Sequence, residues 1–258
     1  MTETIVSRGI IDTYFDKLKD SLDLDVAIVG AGPSGLVAAY YLAKKGYKVA
    51  MFEGKLAPGG GMWGGAMMFN QIIVQEDAKC ILDELKLQYK KYQDGFYTLD
   101  SVYTTSTLIS KATGAGVRIF NCTHIEDVVF HDEAVAGLVV NWSPVTKEGL
   151  FVDPLVVRSK VVIDGTGHDC NIAHTVERKN GVKMNTSTGH VMGERSLQIE
   201  EAETTTVENT KEIYPGLFVC GMASNGVSGG FRMGPIFGGM ILSGRKVADL
   251  IEAKIGRN

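Results

Sequence analysis

Apolar and polar positions along this chain follow two periods, and the changes of period mark its elements. Ile5, Ile10, Ile11, Tyr14, Phe15 and Leu18 recur at roughly helical spacing. Residues 2–20 therefore read as an amphipathic helix that packs on its own domain or on a neighbouring subunit. The short apolar run 25–29 reads as a buried parallel strand, and 36–45 as a helix stopped by Gly46. Residues 48–52 form a second strand ending in Glu53, which completes a βαβ unit. The pattern then predicts a glycine-rich loop over 55–70, helices over 76–92 and 104–113, and a strand with its exit turn over 118–128. Antiparallel strands follow at 127–130, 135–142 and 156–163, and a tight turn at 164–169. A last core strand over 217–222 runs into a glycine-rich loop, and 240–255 is a C-terminal helix. The sum is an α/β chain with a Rossmann-like FAD/NAD-binding fold. It has three layers around a mostly parallel sheet and an inserted antiparallel β-rich segment at about 127–163. No repeat, low-complexity tract or linker divides the chain, so residues 1–258 read as a single dinucleotide-binding domain.

Composition narrows the partners. Of 258 residues 45% are hydrophobic and 22% charged, with a net charge of −4. This balance favours neither nucleic acid nor an anionic membrane. The N-terminus carries acids and bases throughout and lacks the apolar core of a signal peptide. No apolar run is long enough to span a bilayer. Cys80, Cys122, Cys170 and Cys220 are scattered without a CxxC pair, so neither a zinc site nor a disulfide framework is expected. A reducing, cytoplasmic setting fits this usage. Glycine is the outlier, at 31 residues against a usual ~7%. It clusters where backbone must approach something closely or adopt positive φ.

One cluster, Gly30-x-Gly32-x-x-Gly35, follows a strand, opens a helix and precedes an acid, Glu53, at the end of the next strand. Each part has a physical role. Gly30 permits the tight turn, Gly32 lets backbone approach a pyrophosphate, and Gly35 lets the helix sit close to the strand. The helix N-terminus offers free N–H groups and partial positive charge to phosphates. Glu53 can accept hydrogen bonds from ribose hydroxyls and repels a 2′-phosphate, which favours NAD or FAD over NADP. Five glycines in the next loop, 59–65, read as a backbone cradle over the bound molecule or as a flexible surface loop; the adjacency of Glu53 favours the cradle.

Three further segments are more specific: PGGGMWGGAMMFN after Glu53, DGTGHD at 164–169, and YPGLFVCGMASNGVSGGFRMGPIFGGMILSG at 214–244. Together with the Rossmann start, they resemble the thiamine thiazole synthase family from about Asp25 onward. The resemblance implies an enzyme that builds an adenylated thiazole from NAD, glycine and a sulfur source, so NAD is a substrate. It implies NAD contacts at Ser34, Glu53, the neighbouring Gly54, the glycines around Gly61, and the backbone of Ile125. Arg232 matches the position that holds the glycine carboxylate, and a guanidinium suits that task. Its flanking glycines favour a buried clamp over a surface salt bridge. Met222 and Met233 line the same site by resemblance, although either alone reads as core methionine. His168 and Asp153 match the family's Fe(II) ligands, the acid coming from a neighbouring subunit. That implies an obligate homo-oligomer, which the family suggests is a ring-shaped octamer.

The chain departs from the eukaryotic pattern after DGTGHD. There a cysteine sacrifices its sulfur, and the aligned position in this chain is His174. External sulfide, as in the archaeal branch, and multiple turnovers are then expected. Cys170 is the alternative donor, but it sits beside Asp169, which disfavours a thiolate. His174 could shuttle protons near neutral pH. His124, His131 and His190 read as structural. Rival readings are an FAD-dependent oxidoreductase, a pentose-bisphosphate isomerase and a non-catalytic NAD-binding sensor.

Overall fold

A computed structural model describes residues 1–256. After α1 (Thr2–Lys19) the chain enters β1 (Asp23–Val29). In β1, Val26 and Ile28 join one core cluster, and Ala27 and Val29 join another on the opposite face. Burial of both sets marks a strand covered on each side. α2 (Pro33–Lys44) opens with proline, whose missing N–H is no loss in a first turn. It leads back to β2 (Val49–Glu53), buried throughout and parallel to β1.

The next stretch differs from the sequence reading. β3 (Gln71–Gln75) is followed by one 3-10 turn and a short α3 (Lys79–Leu85). The expected helix over 76–92 stops at Lys86, which adopts the left-handed conformation with φ 56°. The chain then reverses into β4 (Lys90–Gln93) and β5 (Phe96–Asp100), which complete a small antiparallel sheet in the order β3-β5-β4. All four residues of β4 are exposed, so it carries no apolar alternation to read. α4 (Ser101–Gly114) begins three residues before the expected start because the Asp100 carboxylate accepts the Tyr103 N–H at 2.7 Å.

The expected strand over 118–128 breaks at Cys122, φ 55°, into β6 (Arg118–Asn121) and β7 (Thr123–His131). β7 forms a hairpin with β8 (Ala134–Trp142), which α5 (Ser143–Lys147) follows. β9 (Leu155–Asp164) corrects the view of 156–163 as an antiparallel insertion strand. Its first four residues pair antiparallel with β8, but Arg158 to Asp164 pair in parallel with β1. The burial pattern shows the change, from alternating along 155–160 to continuous along 161–164. β9 is thus a central strand that carries the hairpin on one edge.

The remaining elements are α6 (Asn171–Asn180), β10 (Arg195–Leu197), α7 (Ile199–Glu208), β11 (Glu212–Tyr214), β12 (Leu217–Val219), α8 (Met222–Ser228), β13 (Phe231–Arg232) and α9 (Gly238–Ile255). The main sheet runs β11-β12-β9-β1-β2-β6, parallel from β12 to β6 with β11 antiparallel at the edge. This is the expected Rossmann-like α/β architecture. α7 escaped the sequence reading because it buries Ala202, Glu203 and Thr206 rather than an apolar stripe. Thr206 satisfies its hydroxyl on the Ala202 carbonyl at 2.7 Å.

α1 packs through Tyr14 and Leu18 and through Lys17, whose Nζ donates to the Ile119 oxygen and lies over the Phe120 ring, while Ile5, Val6, Ile10, Ile11 and Phe15 remain exposed. Among the described residues no helix is long and apolar enough to cross a membrane.

Glu203 is buried, and its Oε2 accepts the Gly239 N–H at the start of α9, 2.8 Å away. Its Oε1 has no partner. Burial raises its pKa from 4.5 to about 7, against the smaller opposing effect of the Gly239 bond. A pKa raised on folding means a stabilising contribution present in full below the ordinary glutamate range and lost as pH rises through about 7. Unfolding free energies of the parent and of Glu203→Gln should therefore diverge across pH 4.5 to 8. The glutamine protein should gain on the order of 3 kcal/mol relative to the parent over that window. Urea unfolding at a series of pH values reads this directly, and parallel curves would exclude titration of Glu203 there.

Candidate active site

The site lies where β1, β2 and β9 end, the place at which open parallel sheets bind ligands. Gly30, φ 88°, turns the chain out of β1. A Cβ on Gly30 would stand 2.5 Å from the Gly165 carbonyl oxygen, and one on Gly35 would stand 2.6 Å from the Gly30 oxygen. Both positions therefore require glycine. A Cβ on Gly32 would meet nothing within 4 Å. Its surroundings are open, and it borders a cleft of about 720 Å³. That volume suits a cofactor-sized molecule.

Glu53 ends β2 and is buried. Its Oε2 accepts the Ala31 N–H and its Oε1 the Lys55 N–H, each at 2.8 Å. The carboxylate thus braces the glycine turn, and each oxygen retains acceptor capacity for a ribose hydroxyl. The 59–65 loop is folded rather than free. The Gly59 N–H donates to the Ala31 oxygen at 2.7 Å, and Gly60 to Gly64 form a 3-10 helix. Gly54, Gly60, Gly61 and Ile125 line this end of the cleft, with Ser34 at the start of α2.

Asp164 does at the end of β9 what Glu53 does at the end of β2. It is fully buried. Oδ1 accepts from the Thr166 N–H and hydroxyl, and Oδ2 from the Ile172 and Ala173 N–H groups at 3.0 Å each. This staples the 164–169 turn to the start of α6. The turn starts beside Gly30 and lines the cleft through residues 165–169. Met222, Arg232, Gly234 and Phe237 line it as well.

His168 lies in this turn, and its Nδ1 stands 2.6 Å from Glu194 Oε2, within hydrogen-bond distance. Glu194 Oε1 in turn accepts from Arg232 Nη1 at 3.5 Å. The Arg232 side chain is 54% exposed. That corrects the expectation of a buried clamp: its flanking glycines shape a strand edge and do not enclose the guanidinium. Met233 is wholly buried with Ala202, Met222 and Ile236 and does not line the cleft.

Asp153 is exposed in the segment before β9 and does not line the cleft. One chain therefore does not bring the two expected metal ligands together. Among the described residues no group of three or more His, Cys, Asp or Glu side chains could hold a metal ion.

His174 lies on α6 away from the cleft lining, 4.0 Å from Glu177. Cys170 is buried at the start of α6, with φ 44°. Burial pushes its thiol pKa far up, and Asp164, Glu194 and Asp169 add to the shift. Such a sulfur is a poor nucleophile. His124, read as structural, lines the cleft rim. Two contributors were not named from the sequence as site residues, Asp164 and Glu194. The first opens the 164–169 turn and could have been found as a second acid closing a parallel strand.

The model of the Thi4 family matches residues 7–237. The thiamine thiazole synthase of Methanothermobacter thermautotrophicus is 55% identical over 250 residues, covering 97% of each chain. That of Pyrococcus furiosus is 51% identical over 256 residues and 99% of each chain. The crystal structure of Thermovibrio ammonificans THI4 superposes with a TM-score of 0.98 at 51% identity, over 100% of both chains. Matched along nearly its whole length in both sequence and structure, this chain belongs to the Thi4 family.

Proposed function

We propose that this protein makes the thiazole moiety of thiamine as an adenylated thiazole, from NAD, glycine and sulfide, in an Fe(II)-dependent reaction with repeated turnover. The observation that carries the reading is the single cleft joining two chemically different regions. In one, a dinucleotide-type turn meets Glu53. Elsewhere in the same cleft an imidazole and a guanidinium, His168 and Arg232, line it and share the Glu194 carboxylate.

In this reading Glu53 holds the adenosine ribose and the N-terminus of α2 holds the pyrophosphate. NAD extends toward the 164–169 turn, where nicotinamide leaves and the opened ribose condenses with glycine. Arg232 orients the glycine carboxylate through its guanidinium fork. The half-exposed position of Arg232 suits a residue that takes up a substrate arriving from solvent.

His168 and a carboxylate form a donor set that suits Fe(II). Its Nδ1 is engaged by Glu194, which leaves Nε2 for the metal. A single chain supplies too few ligands, so the reading takes the carboxylate from Asp153 of the partner subunit. The exposed apolar positions of α1 agree with such an assembly, as a homo-oligomer on the octameric plan expected of the family. When bound, Fe(II) supplies a Lewis-acid centre with open positions and an acceptor for a soft sulfur ligand. The burial of Cys170 and its raised pKa favour sulfur from outside the chain.

Anaerobic incubation with NAD, glycine, Fe(II) and sulfide should yield adenylated thiazole in excess over protein, with the protein mass unchanged by mass spectrometry. Loss of the elements of hydrogen sulfide from the protein would instead make Cys170 a single-use donor. NAD left intact under every condition would sink the reading in favour of a flavin enzyme, an isomerase or an NAD sensor.

Cys170→Ala should retain sulfide-dependent turnover at a rate within about threefold of the parent, since burial excludes the thiol from the chemistry. Abolished turnover in a folded Cys170→Ala protein would contradict an external sulfur source. Glu53→Ala should weaken NAD binding by roughly 10- to 100-fold through lost ribose bonds and a loosened turn. Calorimetric titration of NAD checks this.

A further inference from the structure

Glu194 belongs to no motif that the sequence displays, yet its carboxylate stands between the two side chains at the reactive end of the cleft. Its Oε2 lies 2.6 Å from His168 Nδ1 and its Oε1 lies 3.5 Å from Arg232 Nη1. Its side chain is 20% exposed, against 45% for His168 and 54% for Arg232. It therefore sits behind them while they face solvent and the cleft.

The backbone fixes this placement. β10 begins at the next residue, Arg195, and pairs in parallel with β13, Arg195 opposite Phe231 and Leu197 opposite Arg232. The Arg195 N–H donates to the Gly230 oxygen at 2.8 Å, and the Gln198 N–H to the Arg232 oxygen at 3.2 Å. The Arg195 guanidinium stacks on Phe231, 3.9 Å from the ring centre. Glu194 and Arg232 are thus carried on one two-stranded unit, with the 164–169 turn across from it.

The two contacts differ in strength. The Arg232 contact is long and half-exposed, the kind of pair that contributes little to stability. The His168 contact is short and charge-assisted. An ionised carboxylate only accepts, so His168 must donate from Nδ1. That selects one neutral tautomer and leaves the Nε2 lone pair free on a ring that lines the cleft. A carboxylate behind an imidazole in this way orients the ring and raises its basicity as a ligand. The weaker arm leaves most of the Arg232 fork unoccupied for a substrate carboxylate.

We propose that Glu194 is a positioning residue that sets both reactive-end side chains at once. One of its oxygens holds His168 in the Nδ1–H tautomer, and the other sets the direction of Arg232. The roles of His168 toward metal and Arg232 toward glycine rest on the function proposed above, whereas the hold on the His168 ring does not.

The test separates the two. Metal-free protein labelled with 15N-histidine is compared with Glu194→Ala by long-range proton–nitrogen NMR, above the ordinary imidazole titration range. His168→Gln assigns the signal. His168 should show the Nδ1–H pattern in the parent and move to the Nε2–H form in Glu194→Ala. His190, which bonds Glu177 through Nδ1 at 3.0 Å, is the internal control and should not move. In the same variant Fe(II) affinity should fall about 10- to 100-fold and the KM for glycine should rise, with NAD affinity unchanged. Glu194→Gln keeps the size and an acceptor oxygen, and should keep the tautomer if the alanine protein folds poorly. A His168 pattern that is Nε2–H in the parent, or that stays Nδ1–H in Glu194→Ala, overturns the proposal and leaves the function reading intact. A tautomer that moves while Fe(II) affinity and the glycine KM stay the same upholds the hold on the His168 ring and overturns the proposed roles of His168 toward metal and Arg232 toward glycine.

Discussion

Gly30 and Gly165 meet backbone to backbone where β1 and β9 end, and the gap between them admits no side chain. A Cβ on Gly30 would lie 2.5 Å from the Gly165 oxygen. This close approach lets two turns from adjacent parallel strands share one cleft. The β1 turn feeds the N-terminus of α2, and the β9 turn feeds the N-terminus of α6. The α2 start borders the cleft and suits an anionic ligand, whereas the α6 start gives its first N–H groups to Thr166 and Asp164.

Two carboxylates hold the arrangement. Glu53 and Asp164 each close a parallel strand and each accept backbone N–H groups from the segments around them. They face different environments. Glu53 borders the cleft and can still accept a ligand hydroxyl, while Asp164 is fully buried and does not line it. One type of residue at one kind of position therefore serves recognition in the first case and scaffolding in the second. Glu194 is a third carboxylate of this kind, joined to side chains instead of backbone.

The sulfur question turns on burial. Cys170 caps α6 with a left-handed backbone, and its thiol packs against the Ala223 carbonyl at 3.6 Å. Three nearby carboxylates oppose ionisation further. A thiol placed so is held for packing, and the cleft beside it is lined by His168 and Arg232 instead.

The glycine spacing, the acid 18 residues after Gly35 and the apolar strand runs were legible because they are local. Each expresses what a turn or a doubly covered strand requires of its own residues. The βαβ unit and the cleft end at Glu53 follow from them. β4 was illegible because its residues are exposed, and α7 because hydroxyls and a carboxylate take the place of an apolar stripe. The parallel part of β9 was illegible because pairing partners are a property of the folded sheet, and its alternating first half resembled the hairpin it adjoins. At the site, sequence determined which residue types the dinucleotide turn and the 164–169 turn contain. Tertiary structure alone decided that Glu194 stands between His168 and Arg232, that Asp153 and His174 lie away from the cleft of one chain, and that Arg232 is open to solvent. Those relations join residues up to 64 positions apart, from His168 to Arg232, and only the packing of the 164–169 turn beside the β10–β13 pair brings them within a hydrogen bond's reach of one carboxylate.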